Sequence, residues 1–327
     1  FRIFKIVSAA TRPYPAALLK KLKECVNYDQ ETIDKLDSEL GIFFAELVKK
    51  FLSGKKVKPH IIASHGHTVF HRPDKGITLQ IGNGRILAEQ TGIKVVNDFR
   101  SEDVGLGGQG APLVPIGDRD LFYAYDACLN LGGFANISFT DLKTEKRIAC
   151  DISPCNLALN HLSQKLGQPY DSMGLLARGG EVDSSLFAQL NSLAYYSRQA
   201  PKSLGKEWFV DSFLPLIDSS ELNIFDILAS ATQHIAYQIS DFINDNLKPK
   251  SKILVTGGGT YHSFLIEKIE NYCGAKLFIP AKKIIEYKEA LIFAYLGVLK
   301  IRGEINVLSS VTGANKDSSS GVIHNPK

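Results

Sequence analysis

Two short apolar runs, each closed by consecutive glycines, constrain this chain more than any other feature. Residues 127–131 stop at Gly132-Gly133, and residues 252–256 stop at Gly257-Gly258-Gly259. Runs of this length and composition predict buried strands. Glycines that follow a strand leave backbone N–H groups open to an anionic oxygen. Gly132-Gly133 also parts two β-rich runs, 128–131 and 135–140, as a hairpin turn does. Between such runs the period changes to that of a helix. Ile33, Leu36, Leu40, Phe43, Phe44, Leu47 and Phe51 share one face, as do Ile224, Ile227, Leu228, Ala231, Ile235, Ile239, Phe242 and Ile243.

Other elements follow the same signals. A weakly alternating strand is predicted over 1–9, a helix over 16–27, strands at 61–63, 68–70, 78–81 and 94–96, and a short helix at 85–90. Further on, a helix over 157–166, a helix over 263–272, a strand at 277–279 and a last helix over 287–302 are predicted. Alternating strand and helix in both halves predict two α/β layers with a cleft between them. The boundary is expected near residue 120, giving a first domain over 1–120 and a second over 121–308. The Ser-, Gly- and Asn-rich tail, 309–327, reads as partly ordered loop.

Charge and cysteine usage exclude several classes. The 38 basic and 34 acidic side chains of the 327 residues leave a net charge of +4 with no basic block, which argues against nucleic-acid binding. No apolar run approaches the roughly 20 residues that span a bilayer, so no membrane association is expected. The 5 cysteines are odd in number and form no CxxC pair, and the first residues are too short and too charged for a secretory segment. A reduced, cytoplasmic protein is expected. The chain begins at Phe1 rather than methionine, which predicts a leading segment outside this numbering.

Single motifs are ambiguous. Gly105-x-Gly107-x-x-Gly110 matches a dinucleotide-binding pattern, but Ala111-Pro112 and Pro115 oppose the helix that pattern opens. His65, His67 and His71 lie at alternate positions of a predicted strand, where a metal site and ordinary hydrogen-bonding histidines are both open. Asp151 lies in a predicted Pro- and Asn-containing loop ahead of a helix, and Asp98-Phe99-Arg100 follows a buried strand. A carboxylate at such a place suits a general base, and a guanidinium suits a carboxylate or phosphate. Each is equally a cap or a salt-bridge partner, as is Glu289 behind Lys288 near a helix start.

Taken together, ordered blocks from about Ser64 to Ala314 resemble the anhydro-N-acetylmuramic acid kinase family of the sugar kinase, Hsp70 and actin superfamily. They are Ser64-His65-Gly66-His67-Thr68, His71-Arg72-Pro73, Thr78-Leu79-Gln80-Ile81-Gly82, Asn97-Asp98-Phe99-Arg100 and Gly107-Gly108-Gln109-Gly110-Ala111-Pro112-Leu113-Val114-Pro115. Asn130-Leu131-Gly132-Gly133-Phe134-Ala135-Asn136-Ile137, Pro201-Lys202-Ser203-Leu204-Gly205, Gly257-Gly258-Gly259, Lys288-Glu289-Ala290 and Ser310-Val311-Thr312-Gly313-Ala314 complete the series.

The resemblance implies an actin-like ATPase fold of duplicated ribonuclease-H-like domains, with ATP and Mg²⁺ in the cleft. It implies a kinase that opens the 1,6-anhydro sugar with water and phosphorylates O6, in peptidoglycan recycling. Asp151 would be the base. Gly132, Gly133 and Asn136 would meet phosphate, and Gly257, Gly258 and Gly259 the nucleoside. His65, Asp98, Arg100, Gln109 and Glu289 would line the sugar side, with Arg100 at the lactyl carboxylate, and no side chain is assigned as a metal ligand. The family's Asp-Thr-Gly-Pro-Gly-Asn is Asp151-Ile152-Ser153-Pro154-Cys155-Asn156 here, and His67 replaces the usual Gln. Its opening Met-Ser-Gly-Thr-Ser-x-Asp-Gly turn has no counterpart in Phe1 to Pro15. That predicts weak or absent activity, an exposed strand edge and a tendency to pair, with a homodimer among the outcomes. A catalytically silent sugar-binding relative and a kinase for another carbohydrate are the alternatives.

Overall fold

The computed structural model describes residues 3–327. In chain order the elements are α1 (Ala16–Glu24), α2 (Gln30–Leu52), β1 (Ile61–Ala63), β2 (His67–Arg72), β3 (Ile77–Ile81), α3 (Gly84–Thr91), β4 (Lys94–Asn97), α4 (Ser101–Gly105) and α5 (Pro115–Leu121). There follow β5 (Ala127–Leu131), β6 (Phe134–Thr140), β7 (Arg147–Pro154), α6 (Asn156–Lys165), α7 (Leu175–Arg178), α8 (Ser184–Asn191), α9 (Lys206–Trp208) and α10 (Leu214–Asp218). Then come α11 (Ile224–Asn246), β8 (Lys252–Thr256), α12 (Ser263–Tyr272), β9 (Lys276–Phe278), α13 (Lys282–Ile301), α14 (Ser309–Thr312) and β10 (Val322–His324). None of these helices is long and apolar enough to cross a membrane.

The chain divides into two compact units, a central one over Asp118–Lys288 and a split one made of Ile3–Gly117 and Glu289–Lys327. The central unit is built on a five-stranded sheet in the order β7-β6-β5-β8-β9. β5, β6 and β7 form an antiparallel meander, β8 runs parallel to β5 and β9 parallel to β8. That is the strand order and direction of a ribonuclease-H-like sheet, and the expected α/β class holds. One sheet face buries Leu129, Leu131, Ile137, Ile152, Ile253 and Val255 with Leu228, Ile235 and Ile239 of α11 in a single core. Period-2 alternation then sends the intervening side chains to the opposite face.

In the split unit β1 pairs parallel and β10 antiparallel with β4, and β2 pairs with β3 as a hairpin. The side chain of Asp29 caps α2 by accepting from the Thr32 N–H. Leu36 and Leu40 of α2 pack with Leu18 and Leu22 of α1 and with Val69 and Ile81 of the hairpin.

Several expectations are corrected. Residues 3–15 carry neither helix nor strand; weak alternation without a ladder partner does not make one. The rest of the strand expected over 1–9, Phe1 and Arg2, lies outside the described residues. The last helix starts at Lys282 rather than 287, and the unit boundary falls inside it, between Lys288 and Glu289. A continuous helical pattern carries no sign of such a boundary. Residues 289–308 therefore group with the first domain rather than the second. The tail is not loop throughout: within it form α14 and β10, with Val322↔Asn97, Ile323↔Val96 and His324↔Val95 in register. His324 Nε2 lies 2.9 Å from Asn97 Oδ1.

Candidate active site

The register of the central sheet assembles the site. Thr256 of β8 pairs with Asn130 of β5, Asn130 with Asn136 of β6, and Asn136 with Asp151 of β7. Directly paired residues share a face, so these four polar side chains form one row on the face opposite the apolar core. A bulge between Ala135 and Asn136 sets this register at its last step. Asp151 was expected in a loop; it lies within β7, because Ile152, Ser153 and Pro154 continue the ladder.

Both glycine turns sit beside that row. Gly132 and Gly133 close the β5–β6 hairpin, and their carbonyls accept from the N–H groups of Asn156 and of Cys155 and Leu157 respectively, where α6 begins. Gly257 has φ +87°, and a Cβ there would lie 2.6 Å from Asn130 Oδ1 and 2.7 Å from the Leu131 carbonyl. Only glycine suits that position. A Cβ on Gly259 would lie 2.6 Å from that of Leu131. Asn156 ties the turns together by donating from Nδ2 to the Leu131 carbonyl at 3.0 Å.

Asp151 is half-buried. Its Oδ2 accepts from the Leu204 N–H at 2.9 Å. Its own N–H donates to the Lys202 carbonyl at 2.9 Å, and its carbonyl accepts from the Tyr195 hydroxyl at 2.7 Å. Burial raises the carboxyl above its usual value, and the Leu204 N–H opposes this by favouring the anion. A buried ion pair missed by sequence reasoning lies on the same sheet face. Lys288 Nζ is 2.8 Å from Asp118 Oδ1. Asp118 Oδ2 accepts from Ser138 Oγ at 2.6 Å, and Arg147 donates to the same Oγ at 2.8 Å.

The split unit holds the expected sugar-side residues. Arg100 donates from Nε to His65 Nε2 at 3.1 Å and from an Nη to the Gly110 carbonyl at 2.5 Å. His65 Nδ1 is 3.1 Å from the Gly66 carbonyl, so the partners fix the Nδ1–H tautomer with Nε2 as acceptor. Burial, then the Arg100 charge, lowers the His65 pKa. Burial also lowers Arg100, and Glu289 opposes this, so these three residues share one electrostatic neighbourhood. Glu289 and Gln109 are exposed, and the Gln109 N–H donates to the Thr312 carbonyl at 2.8 Å. Asp98, at φ +52°, accepts from Ser101 Oγ at 2.6 Å and forms no ion pair with Arg100.

The loop carrying Gln109 is shaped by Asp103, which sequence reasoning missed. Fully buried, it accepts from the Gly110 N–H at 2.7 Å and from Thr312 Oγ1 at 2.7 Å. A Cβ on Gly108 would lie 2.2 Å from its Oδ2. Gly105 ends α4 rather than following a strand, and α5 opens at Pro115, where its missing N–H costs nothing. The three histidines go separate ways: His67 Nε2 lies 3.2 Å from the Leu22 carbonyl and His71 Nδ1 3.2 Å from Thr78 Oγ1. Among the described residues no three His, Cys, Asp or Glu side chains gather to hold a metal.

A family model described as anhydro-N-acetylmuramic acid kinase matches residues 2–326. The chain belongs to that family. The kinase of this name from Vibrio cholerae serotype O1 is 36% identical over 339 residues, covering 96% of this chain and 89% of the relative. Those from Shewanella denitrificans and Crocosphaera subtropica are 34% and 33% identical and cover 96% and 98% of this chain and 89% and 91% of their own lengths. Among solved structures, the activator of the 2-hydroxyisocaproyl-CoA dehydratase from Clostridium difficile with bound ADPNP is 14% identical, covers 66% of this chain and 82% of its own, and has a TM-score of 0.37. The chain is thus a carbohydrate kinase of the anhydro-N-acetylmuramic acid kinase family. Ser153 and Cys155 are both buried beside the row that holds Asp151.

Proposed function

We propose that this kinase opens the 1,6-anhydro bond of anhydro-N-acetylmuramic acid with water and transfers the γ-phosphoryl group of ATP to O6. The product is N-acetylmuramic acid 6-phosphate, and the step belongs to cytoplasmic recycling of peptidoglycan, where ATP is supplied. The observation that carries this reading is Asp151: a half-buried carboxyl, raised by burial, with one oxygen bonded to an N–H and no donor to Oδ1 among the described residues.

A water proton passes to Asp151 Oδ1 as the water oxygen bonds to C1. The C1–O6 bond breaks, O6 bonds to the γ-phosphorus, and ADP leaves with the bridging oxygen. Gly132, Gly133 and Asn136 are assigned to the phosphates and Gly257, Gly258 and Gly259 to the nucleoside, because close backbone approach suits both. Asp98, Arg100, Gln109, Glu289 and His65 are assigned to the sugar, with Arg100 as partner of the lactyl carboxylate.

Mg²⁺ keeps waters and is held by phosphates with one or two carboxylates. Asn130 and Asn136, paired across β5 and β6, would offer it only neutral amide oxygens, so an ion arriving with the nucleotide would rest chiefly on the phosphates. When bound it neutralises phosphate charge during transfer.

The test is ADP release with and without the anhydro sugar, with the product weighed by mass spectrometry. Sugar-dependent release and a product heavier by one water and one phosphoryl group are expected. Release that ignores the sugar, or a product heavier by the phosphoryl group alone, would contradict the reading.

A further inference from the structure

Asp151 lies on β7, an edge strand of the central sheet. In an antiparallel ladder both main-chain groups of one residue point the same way, toward the partner strand or away from it. Those of Asp151 point away, and on an edge strand they would otherwise be left to solvent. The segment 195–204 takes both: the Lys202 carbonyl accepts the N–H, and the Tyr195 hydroxyl donates to the carbonyl. The Leu204 N–H then bonds Oδ2. One short segment thus fixes the strand position of Asp151 and selects which carboxylate oxygen is engaged.

We infer that segment 195–204 is the positioning device for the base, with Tyr195 as its key positioning residue. The inference rests on the reading of Asp151 given above. Tyr195 is suited to the task because it is nearly fully buried, at 1% exposure, so its hydroxyl has a fixed place. Its ring packs on Trp208 at 5.3 Å and on Tyr196 at 5.8 Å between centroids. The ammonium of Lys202, whose carbonyl also meets Asp151, lies 4.8 Å from the ring centroid. The neighbouring Tyr196 hydroxyl serves a separate chain, 2.8 Å from His234 Nε2 and 3.3 Å from Ser153 Oγ. A buried hydroxyl that reaches a main-chain carbonyl on an edge strand does what a further ladder strand would do there.

Tyr195→Phe keeps the ring and the burial but removes the bond that holds the Asp151 carbonyl. Steady-state rates of the full chain are expected to show kcat reduced at least tenfold with KM for ATP within twofold of the parent. With burial kept and the Leu204 N–H less well placed, the acid limb of the kcat profile is expected to move to higher pH. Lys202→Met, which loosens the same segment from outside, is expected to act in the same direction with a smaller loss, and it keeps the inference testable should Tyr195→Phe fail to fold.

Folded Tyr195→Phe and Lys202→Met proteins with kcat within twofold of the parent and an unmoved acid limb would overturn the inference. Asp151→Asn, assayed alongside, separates the two claims. If it keeps the parent rate, the base reading fails. If it is inactive while the other two variants are normal, only the positioning role fails.

Discussion

The carboxylate proposed as base in the central unit and the cation in the split unit are held by different means. Asp151 is fixed mostly through main chain: two of its three bonds use its own N–H and carbonyl, and the third comes from the Leu204 N–H. Arg100 is fixed through its side chain, its guanidinium set between the His65 ring and the Gly110 carbonyl. The bonds from the Lys202 and Leu204 main chains do not depend on which residue supplies them, and among the three only that from the Tyr195 hydroxyl does, whereas the pair of Arg100 and His65 depends on both identities and on a neutral imidazole.

Four substitutions break or sharpen that contrast. The largest effect is expected from Asp151→Asn, which keeps the shape and every main-chain bond but removes the base. Loss of a general base costs about 10²–10⁴-fold in rate, so kcat for sugar-dependent ADP release should fall by that factor with KM for ATP little changed. Arg100→Gln removes a charge-assisted contact of about 1.5–3 kcal/mol. The KM for the sugar should then rise roughly 10- to 150-fold while KM for ATP stays put. An unchanged sugar affinity would remove Arg100 from the site.

Gly257→Ala probes the main-chain side of the contrast. A side chain at φ +87° sits against Asn130 and the Leu131 carbonyl, a strain of about 1–3 kcal/mol. Lower thermal stability and weaker nucleotide binding are expected, read by calorimetry. The smallest effect on rate should come from Leu204→Ala, since its N–H rather than its side chain holds Asp151. A kcat within about twofold of the parent, within the non-additive scatter of such contacts, is the expected result. A tenfold loss would show that the side chain matters and that the contrast is false.

Much of this was legible in the sequence. Glycine after apolar strands located both turns, and helical periodicity located α2 and α11. Family blocks pointed to Asp151 and Arg100. The register was not legible: a bulge between Ala135 and Asn136 decides that Asn136 faces Asp151, and no local propensity encodes it. Long-range partners were hidden for the same reason. Asp103 and Thr312 are 209 positions apart, and Asp118 meets Lys288 across about half of the chain. β10 was hidden by a polar, glycine-rich neighbourhood whose pairing with β4 exists only once the tail has returned to the sheet. Tyr195 carried no motif at all, because a hydroxyl that serves a main-chain carbonyl leaves no mark on the residue it serves.

The central claim is that Asp151 acts as an ionised base under partial burial, and the pH dependence of kcat tests it most directly. Only the carboxylate accepts a proton, and burial raises the carboxyl above its ordinary value of 3.8. The rate should therefore be full at neutral pH and fall as the pH drops through the raised value, with its half-point above 3.8 and the limb abolished in Asp151→Asn. A rate that stays level to below 3.8 in folded protein, or a limb that persists unchanged in Asp151→Asn, would contradict the account.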